Sequence, residues 1–506
     1  MSDTPTHSLR PTERLTVSRR GVLGAGIGVG VGMGLGLSGA ASAAPAVRTS
    51  RSASVGASAG PAKNVIFMVA DGMSTSTLSL GEMYARANLG RSMRWCGLWG
   101  KPGVRRASMT TYAADGWVTD SAAAGSAWGI GEHINNDAVN WTPDARTPAP
   151  LLVRARADGR GTGLVTTTRV THATPASFIT NVPRRSLENE IARQQLERGA
   201  DVILGGGARH FPDELLADHK DWTVVRTRDE LLKAPAGAEK LLGIFAKSHV
   251  DFELDRRAKA EAKRDPSLAE MTELALRRLE KKDRGFVMQI EGGRVDHGAH
   301  SNDLPAMLFD LLAFDDAIET VLRWMDGRDD TLLVITTDHG NANPALTVYG
   351  KPGAEMFARI PRFTHTLDWA ISKVDADFKG APPAERVKAL LGFTETAIGG
   401  ELRPEDRDWV MRAAQGQRVN GFDLNNSVPL ALGAVVANMF GVAFLSPNHT
   451  ADLVEVTALG PGSEHLKPLI DNIELHTLVT SALALPKLPD MKLSREVDPH
   501  APVKPD

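Results

Sequence analysis

Glu291, Asp296 and His300 stand within one short segment, Glu291-Gly292-Gly293-Arg294-Val295-Asp296-His297-Gly298-Ala299-His300. Carboxylate and imidazole are the donors a divalent cation takes when no thiolate is offered. The run before them, Gly285-Phe286-Val287-Met288-Gln289-Ile290, reads as a buried strand. A second acid–imidazole pair, Asp338-His339, follows another such run, Leu332-Leu333-Val334-Ile335-Thr336. Donors placed just past strand ends are what a metal centre at the carboxyl edge of an open α/β sheet requires. One such cluster is compatible with chance; two point to a metalloenzyme.

Other groups become meaningful beside these. Asp71-Gly72-Met73 closes the strand-like run Val65–Ala70, although a lone Asp-Gly is more often a turn. In Val118-Thr119-Asp120-Ser121-Ala122-Ala123-Ala124 the alanines favour a helix whose first turn holds Ser121. A hydroxyl there lies in the positive end of the helix dipole, which favours its alkoxide and makes it a candidate nucleophile. A capping role is the commoner use of such a residue. His172 and Thr174, two positions apart, share a face if the backbone is extended. Arg184-Arg185 offers guanidinium forks that suit phosphate oxygens, or a solvated surface pair. His449, in Asn448-His449-Thr450, is structural when taken alone.

The elements that must position these groups alternate. Strand-like runs at Val65–Ala70, Gly163–Thr168, Val202–Leu204 and before Glu291 and Asp338 are separated by helical patterns such as Asp310–Met325. The expectation is an α/β fold, a mainly parallel sheet sandwiched by helices. Residues 63–342 plus 448–485 form the expected catalytic domain. Residues 343–447, with helical stretches at Ala384–Leu391 and Leu430–Phe440, form an expected helical inserted cap. The Pro- and Lys-rich segment 486–506 is an expected flexible tail.

The chain has 506 residues, 42% hydrophobic and 24% charged, as a soluble globular protein does. Its net charge of −3 shows no basic surplus for nucleic acid, and its single cysteine rules out an intrachain disulfide and a cysteine-rich metal site. Ser18-Arg19-Arg20-Gly21-Val22-Leu23, a weakly apolar glycine-rich run and Ala41-Ser42-Ala43-Ala44 read as a twin-arginine signal peptide over residues 1–44. A disordered Ala/Ser/Gly-rich linker is expected over 45–62. The mature protein is then periplasmic or extracellular and has no membrane span.

Taken together, Asp71-Gly72-Met73, Thr119-Asp120-Ser121-Ala122-Ala123, Thr166 through Pro175, Glu291 through His300, Asp338-His339 and His449-Thr450 resemble, in order, the alkaline phosphatase family of metal-dependent phosphomonoesterases. The resemblance covers most of 63–342 and 448–480. It implies that Ser121 is the nucleophile that becomes phosphoserine. Asp296, His300 and His449 would hold one Zn2+, and Asp71, Asp338 and His339 a second. Asp71, Thr174 and Glu291 would hold Mg2+ with His172 nearby or ligating; Co2+ or Zn2+ is the alternative at that third site. Arg185, eleven residues past Thr174, would grip phosphate, with the adjacent Arg184 as the alternative. Substrates would be small phosphate monoesters. A homodimer is an open expectation, as are the roles of the inserted helices: covering the site, dimerising, or narrowing substrate range. A diesterase, a sulfatase-like relative and an inactive phosphate- or metal-binding protein are the competing functions; a serine followed by alanines suits the first two poorly.

Overall fold

The computed structural model describes residues 61–235, 239–419, 426–499 and 501. The signal peptide and residues 45–60 of the linker lie outside the described residues. Ala62, placed in the linker by composition, is buried and donates its N–H to the Ala482 carbonyl, so the body begins there.

Ten strands form one sheet: β1 Asn64–Val69, β2 Arg105–Met109, β3 Gly161–Arg169, β4 Val202–Gly206, β5 Trp222–Val225, β6 Lys240–Ile244, β7 Phe286–Glu291, β8 Thr331–Thr336, β9 Val454–Leu459 and β10 Leu469–Ile470. Their spatial order is β10-β2-β9-β8-β1-β7-β3-β4-β6-β5. The six strands β8-β1-β7-β3-β4-β6 and edge strand β5 are parallel. β9 runs antiparallel to both β8 and β2.

β1, β3, β7 and β8 are buried along their whole length, as apolar runs covered on both faces must be. Side chains alternate between two cores. Ile66, Met68, Val165, Met288, Ile290, Leu333 and Ile335 enter one; Val65, Phe67, Val69, Leu164, Val287, Leu332 and Val334 enter the other. The helix Leu304–Met325 belongs to the first core. It starts six residues before the apolar periodicity suggested, because Asp303 caps it by accepting from Ala306 N–H and Pro305 fits its first turn.

Between 343 and 447 the described chain forms helices Gly350–Phe357, Leu367–Asp377, Pro383–Ile398, Pro404–Ala414 and Val428–Met439. Their apolar residues, among them Phe357, Leu367, Leu390 and Val436, join the first core. Two short ladders gather the ends of this segment. Ala345-Leu346 pairs with Val442-Ala443, and Gly340-Asn341 pairs with His449-Thr450, both antiparallel. From Pro486 onward the described residues have no helix or strand, yet they are tied to the body: Met491 N–H donates to Thr147, and Arg495 reaches Glu190.

Candidate metal centre and nucleophile

Four neighbouring parallel strands deliver the site from their carboxyl ends. Asp338 follows β8, Asp71 follows β1, Glu291 ends β7, and Thr174 lies on the helix Ala173–Ser177 just after β3. Gly72 turns the chain at the end of β1 with φ +66°, and a Cβ on it would stand 2.8 Å from Asp296 Cα. Only glycine lets Asp71 and Asp296 come this close.

Ser121 is the first residue of the helix Ser121–Ile130 and is 2% exposed. Asp120 caps that helix, accepting from Ala123 N–H at 2.9 Å. The Ser121 Oγ lies 3.2 Å from His339 Nε2 and 3.5 Å from each carboxylate oxygen of Asp71. A hydroxyl is thus held at the positive end of a helix, facing a buried imidazole and carboxylate.

Three donor groups surround it, each with ligand atoms within 4.8 Å of one another: Asp296, His300 and His449; Asp71, Asp296 and His339; and Asp71, His172 and Glu291. Asp338 adjoins the second through its Oδ2, 3.1 Å from His339 Nε2. Asp296 therefore borders both of the first two groups. His300 Nδ1 donates to the Pro447 carbonyl and His449 Nδ1 to the Thr119 carbonyl. Their Nε2 atoms then face each other at 2.9 Å beside Asp296. Backbone carbonyls that hold Nδ1–H leave Nε2 lone pairs aimed at a common point, the usual support for a metal-bound imidazole. Thr174 Oγ1 lies 3.2 Å from Asp71 Oδ2. Glu291 Oε1, Asp338 Oδ2 and His172 Nδ1 are buried and have no hydrogen-bond partner.

The electrostatics call for cations. Burial, then the charges of Asp338, Asp296 and Glu291, hold the Asp71 carboxyl well above its usual range. Burial likewise lifts Glu291 to about 7, against hydrogen bonds such as that from Thr166. Burial also pushes Asp296 up, but His300, His449 and His339 outweigh it and hold that carboxyl well below normal. Burial disfavours a proton on both facing imidazoles; Asp296 lifts His300 to about 9 regardless, while His449, also beside His339, falls to about 4. Four clustered buried carboxylates, two of them with an unpartnered oxygen, and two imidazole Nε2 atoms facing each other at 2.9 Å fit divalent metal ions and fit poorly with bare protein.

The expected donors thus come together, and so does Arg185. Its guanidinium donates to Asp120 Oδ2 at 2.9 Å and reaches His172 Nε2 at 3.0 Å. Arg184 points elsewhere, to the Ala501 carbonyl at 2.8 Å. Three neighbours escaped the sequence reading. Asp120 couples the nucleophile's helix to Arg185; its position before Ser121 was a legible cap signal. Asn341 donates to Asp296 Oδ1 at 2.7 Å. His249 packs edge-on to His297 and His172, with ring centroids 4.4 Å and 5.9 Å away, and nothing in its local sequence marks it.

Known proteins resemble this chain in sequence and fold. The alkaline phosphatase family model matches residues 62–365. Alkaline phosphatase 3 of Bacillus subtilis is 29% identical over 440 residues, 83% of this chain and 89% of that protein. The repressible alkaline phosphatase of Saccharomyces cerevisiae is 35% identical over 322 residues, 55% of this chain, and the match spans only 54% of the yeast protein. The crystal structure of Thermus thermophilus alkaline phosphatase superposes with a TM-score of 0.77 at 32% identity, covering 86% of this chain and 94% of that one. With the family model matched over more than half its length, and a serine facing a buried cluster of acids and imidazoles, the chain belongs to the alkaline phosphatase family of phosphomonoesterases.

Proposed function

We propose that this protein hydrolyses phosphate monoesters through a phosphoserine at Ser121 and works outside the cytoplasm after twin-arginine export. The observation that carries the reading is the placement of Ser121 Oγ, at a helix start and 3.2 Å from His339 Nε2. Asp296, His300 and His449 would hold one zinc ion, and Asp71, Asp338 and His339 the other. Asp71, Thr174 and Glu291 would hold magnesium, with His172 beside it. When bound, these ions supply positive charge that lowers the serine pKa and offsets charge on the attacking and leaving oxygens.

The chain's own residues set the geometry. Arg185 offers two parallel N–H donors to equatorial phosphate oxygens, and Asp120 fixes its orientation. The helix dipole favours the Ser121 alkoxide. In the first displacement the Oγ–P bond forms as the ester P–O bond breaks, and the alcohol departs with a proton. In the second, water attacks phosphorus, the P–Oγ bond breaks, and Ser121 recovers its proton. An in-line displacement requires the leaving oxygen opposite Ser121, and in this reading the ion held by Asp296, His300 and His449 would offset its charge.

Export rests on Arg19-Arg20 and the apolar run that follows. No helix among the described residues is long and apolar enough to cross a membrane. Replacing both arginines by lysine should retain the precursor in the cytoplasm. For the chemistry, labelled phosphate should remain on Ser121 after an acid quench and be absent from Ser121→Ala. Labelling of the alanine variant at the wild-type level would remove Ser121 from its role. Turnover of a diester in preference to its monoester would favour the diesterase reading.

A further inference from the structure

Large apolar side chains are exposed at nine described positions; two of these lie four residues either side of His449, and two directly precede Thr119, the residue that holds it. Trp117 (79% exposed) and Val118 directly precede Thr119, whose carbonyl holds His449 Nδ1 at 2.7 Å. Leu445 (63%) lies four residues before His449, and Leu453 (50%) four residues after it.

Trp117 is also braced. Its ring meets Tyr112 edge-on at 6.0 Å, and Tyr112 stacks on His133 at 4.2 Å. Asp471 accepts from Tyr112 Oη at 2.5 Å and lies 3.0 Å from His133 Nε2. Behind the loop, Asn136 accepts from Asp120 N–H at 2.7 Å and donates to the Val118 carbonyl at 3.3 Å. An aromatic ring held from behind while its outer face stays in water is preorganised to receive a flat ligand.

Trp117 stands four positions before Ser121, so their Cα atoms lie at most about 14 Å apart. A phosphoryl group on Ser121 with an aryl substituent on its far side spans much of that distance. In the proposed reaction His449 belongs to the metal group that would face the leaving oxygen, and its Nδ1 donates to the Thr119 carbonyl of the Trp117 loop.

We infer that Trp117 is a specificity-determining platform that stacks against the leaving group, and that the site favours phosphate monoesters of aromatic alcohols or nucleosides over small aliphatic ones. The inference rests on the phosphomonoesterase reading and deepens it. Stacking on Trp117 should tighten an aromatic ligand about 3- to 10-fold.

The test uses ligands that cannot turn over, titrated calorimetrically into the metal-loaded protein: inorganic phosphate, methylphosphonate and phenylphosphonate. Phenylphosphonate should bind the wild type about 3- to 10-fold more tightly than methylphosphonate does. In Trp117→Ala the two should become nearly equal, with phosphate affinity unchanged, and Trp117→Phe should keep most of the preference. KM for a nucleoside monophosphate should rise in Trp117→Ala while KM for glycerol phosphate holds. An unchanged preference in Trp117→Ala, with phosphate still bound, overturns the platform and leaves the phosphatase reading intact. Equal weakening of all three ligands, accompanied by a smaller molar mass in solution, makes Trp117 an interface residue between copies and overturns the platform as well. Failure of the wild type to bind phosphate overturns both readings.

Discussion

Arg185 donates to Asp120 at 2.9 Å, and Asp120 at the same time caps the helix that begins with Ser121. One carboxylate therefore fixes both the candidate nucleophile and the candidate phosphate grip. The neighbouring Arg184 is committed to the Ala501 carbonyl.

From this, Arg185→Ala should weaken inhibition by inorganic phosphate and lower kcat/KM by about 1.5–3 kcal/mol, the worth of charge-assisted hydrogen bonds. Arg184→Ala should leave both almost unchanged. Parallel phosphate-inhibition constants for the two variants decide the matter; a loss confined to Arg184→Ala would exchange the roles.

The third donor group mixes oxygen and nitrogen. Asp71, Thr174 and Glu291 offer oxygens, whereas His172 presents a buried, unpartnered Nδ1. Magnesium prefers oxygen shells, and imidazole suits zinc or cobalt better. After chelation and restoration with zinc alone, magnesium should raise activity further, and His172→Asp should enlarge that gain. Activation by cobalt with none by magnesium would reassign the metal. An unchanged metal response in His172→Asp would remove His172 from the site.

Gly298 lies between Asp296 and His300 on the short helix Arg294–His300, which packs on the helix Leu304–Met325. A Cβ there would stand 2.8 Å from Met307 Cα and closer still to its nitrogen. Overpacking against backbone costs about 1–3 kcal/mol, and here the strain falls on two metal donors. Gly298→Ala should lower unfolding stability by that amount and reduce zinc content after dialysis. Wild-type zinc occupancy in this variant would show that the helix can shift without disturbing its donors.

Asp310 is buried on the helix Leu304–Met325, where its Oδ2 accepts from Glu253 N–H at 3.0 Å. Burial lifts its carboxyl to about 8, against about 3.9 in an unfolded chain. The folded state thus holds a proton that the unfolded state releases. The associated stability is fully present below about pH 4 and is lost as pH rises to about 8, by at most about 1.4 kcal/mol per pH unit. Asp310→Asn keeps the acceptor and removes the titration. Its urea-unfolding free energy should fall less than that of the wild type between pH 5 and pH 8. Parallel pH profiles would show that the carboxyl is charged in the folded protein.

Much of this molecule is written locally. The apolar runs at Val65, Phe286 and Leu332 mark strands buried on both faces, and the acids just beyond them lie at strand ends because a strand's length is set by its own run. Ser121 at a helix start follows from Asp120 before it and the alanines after it, since caps act over three or four residues. Other features needed the folded chain. Whether Arg184 or Arg185 reaches Asp120, the residue before Ser121, is decided by partners 65 residues away in sequence for Arg185 and 317 away for Arg184. The antiparallel strand β9, and the ladder that sets His449 beside Asn341 across the helices between them, have no local signal. Periodicity and capping are short-range preferences of the backbone. The meeting of distant segments is decided by which surfaces bury together, and that free energy belongs to the tertiary structure rather than to any single stretch of residues.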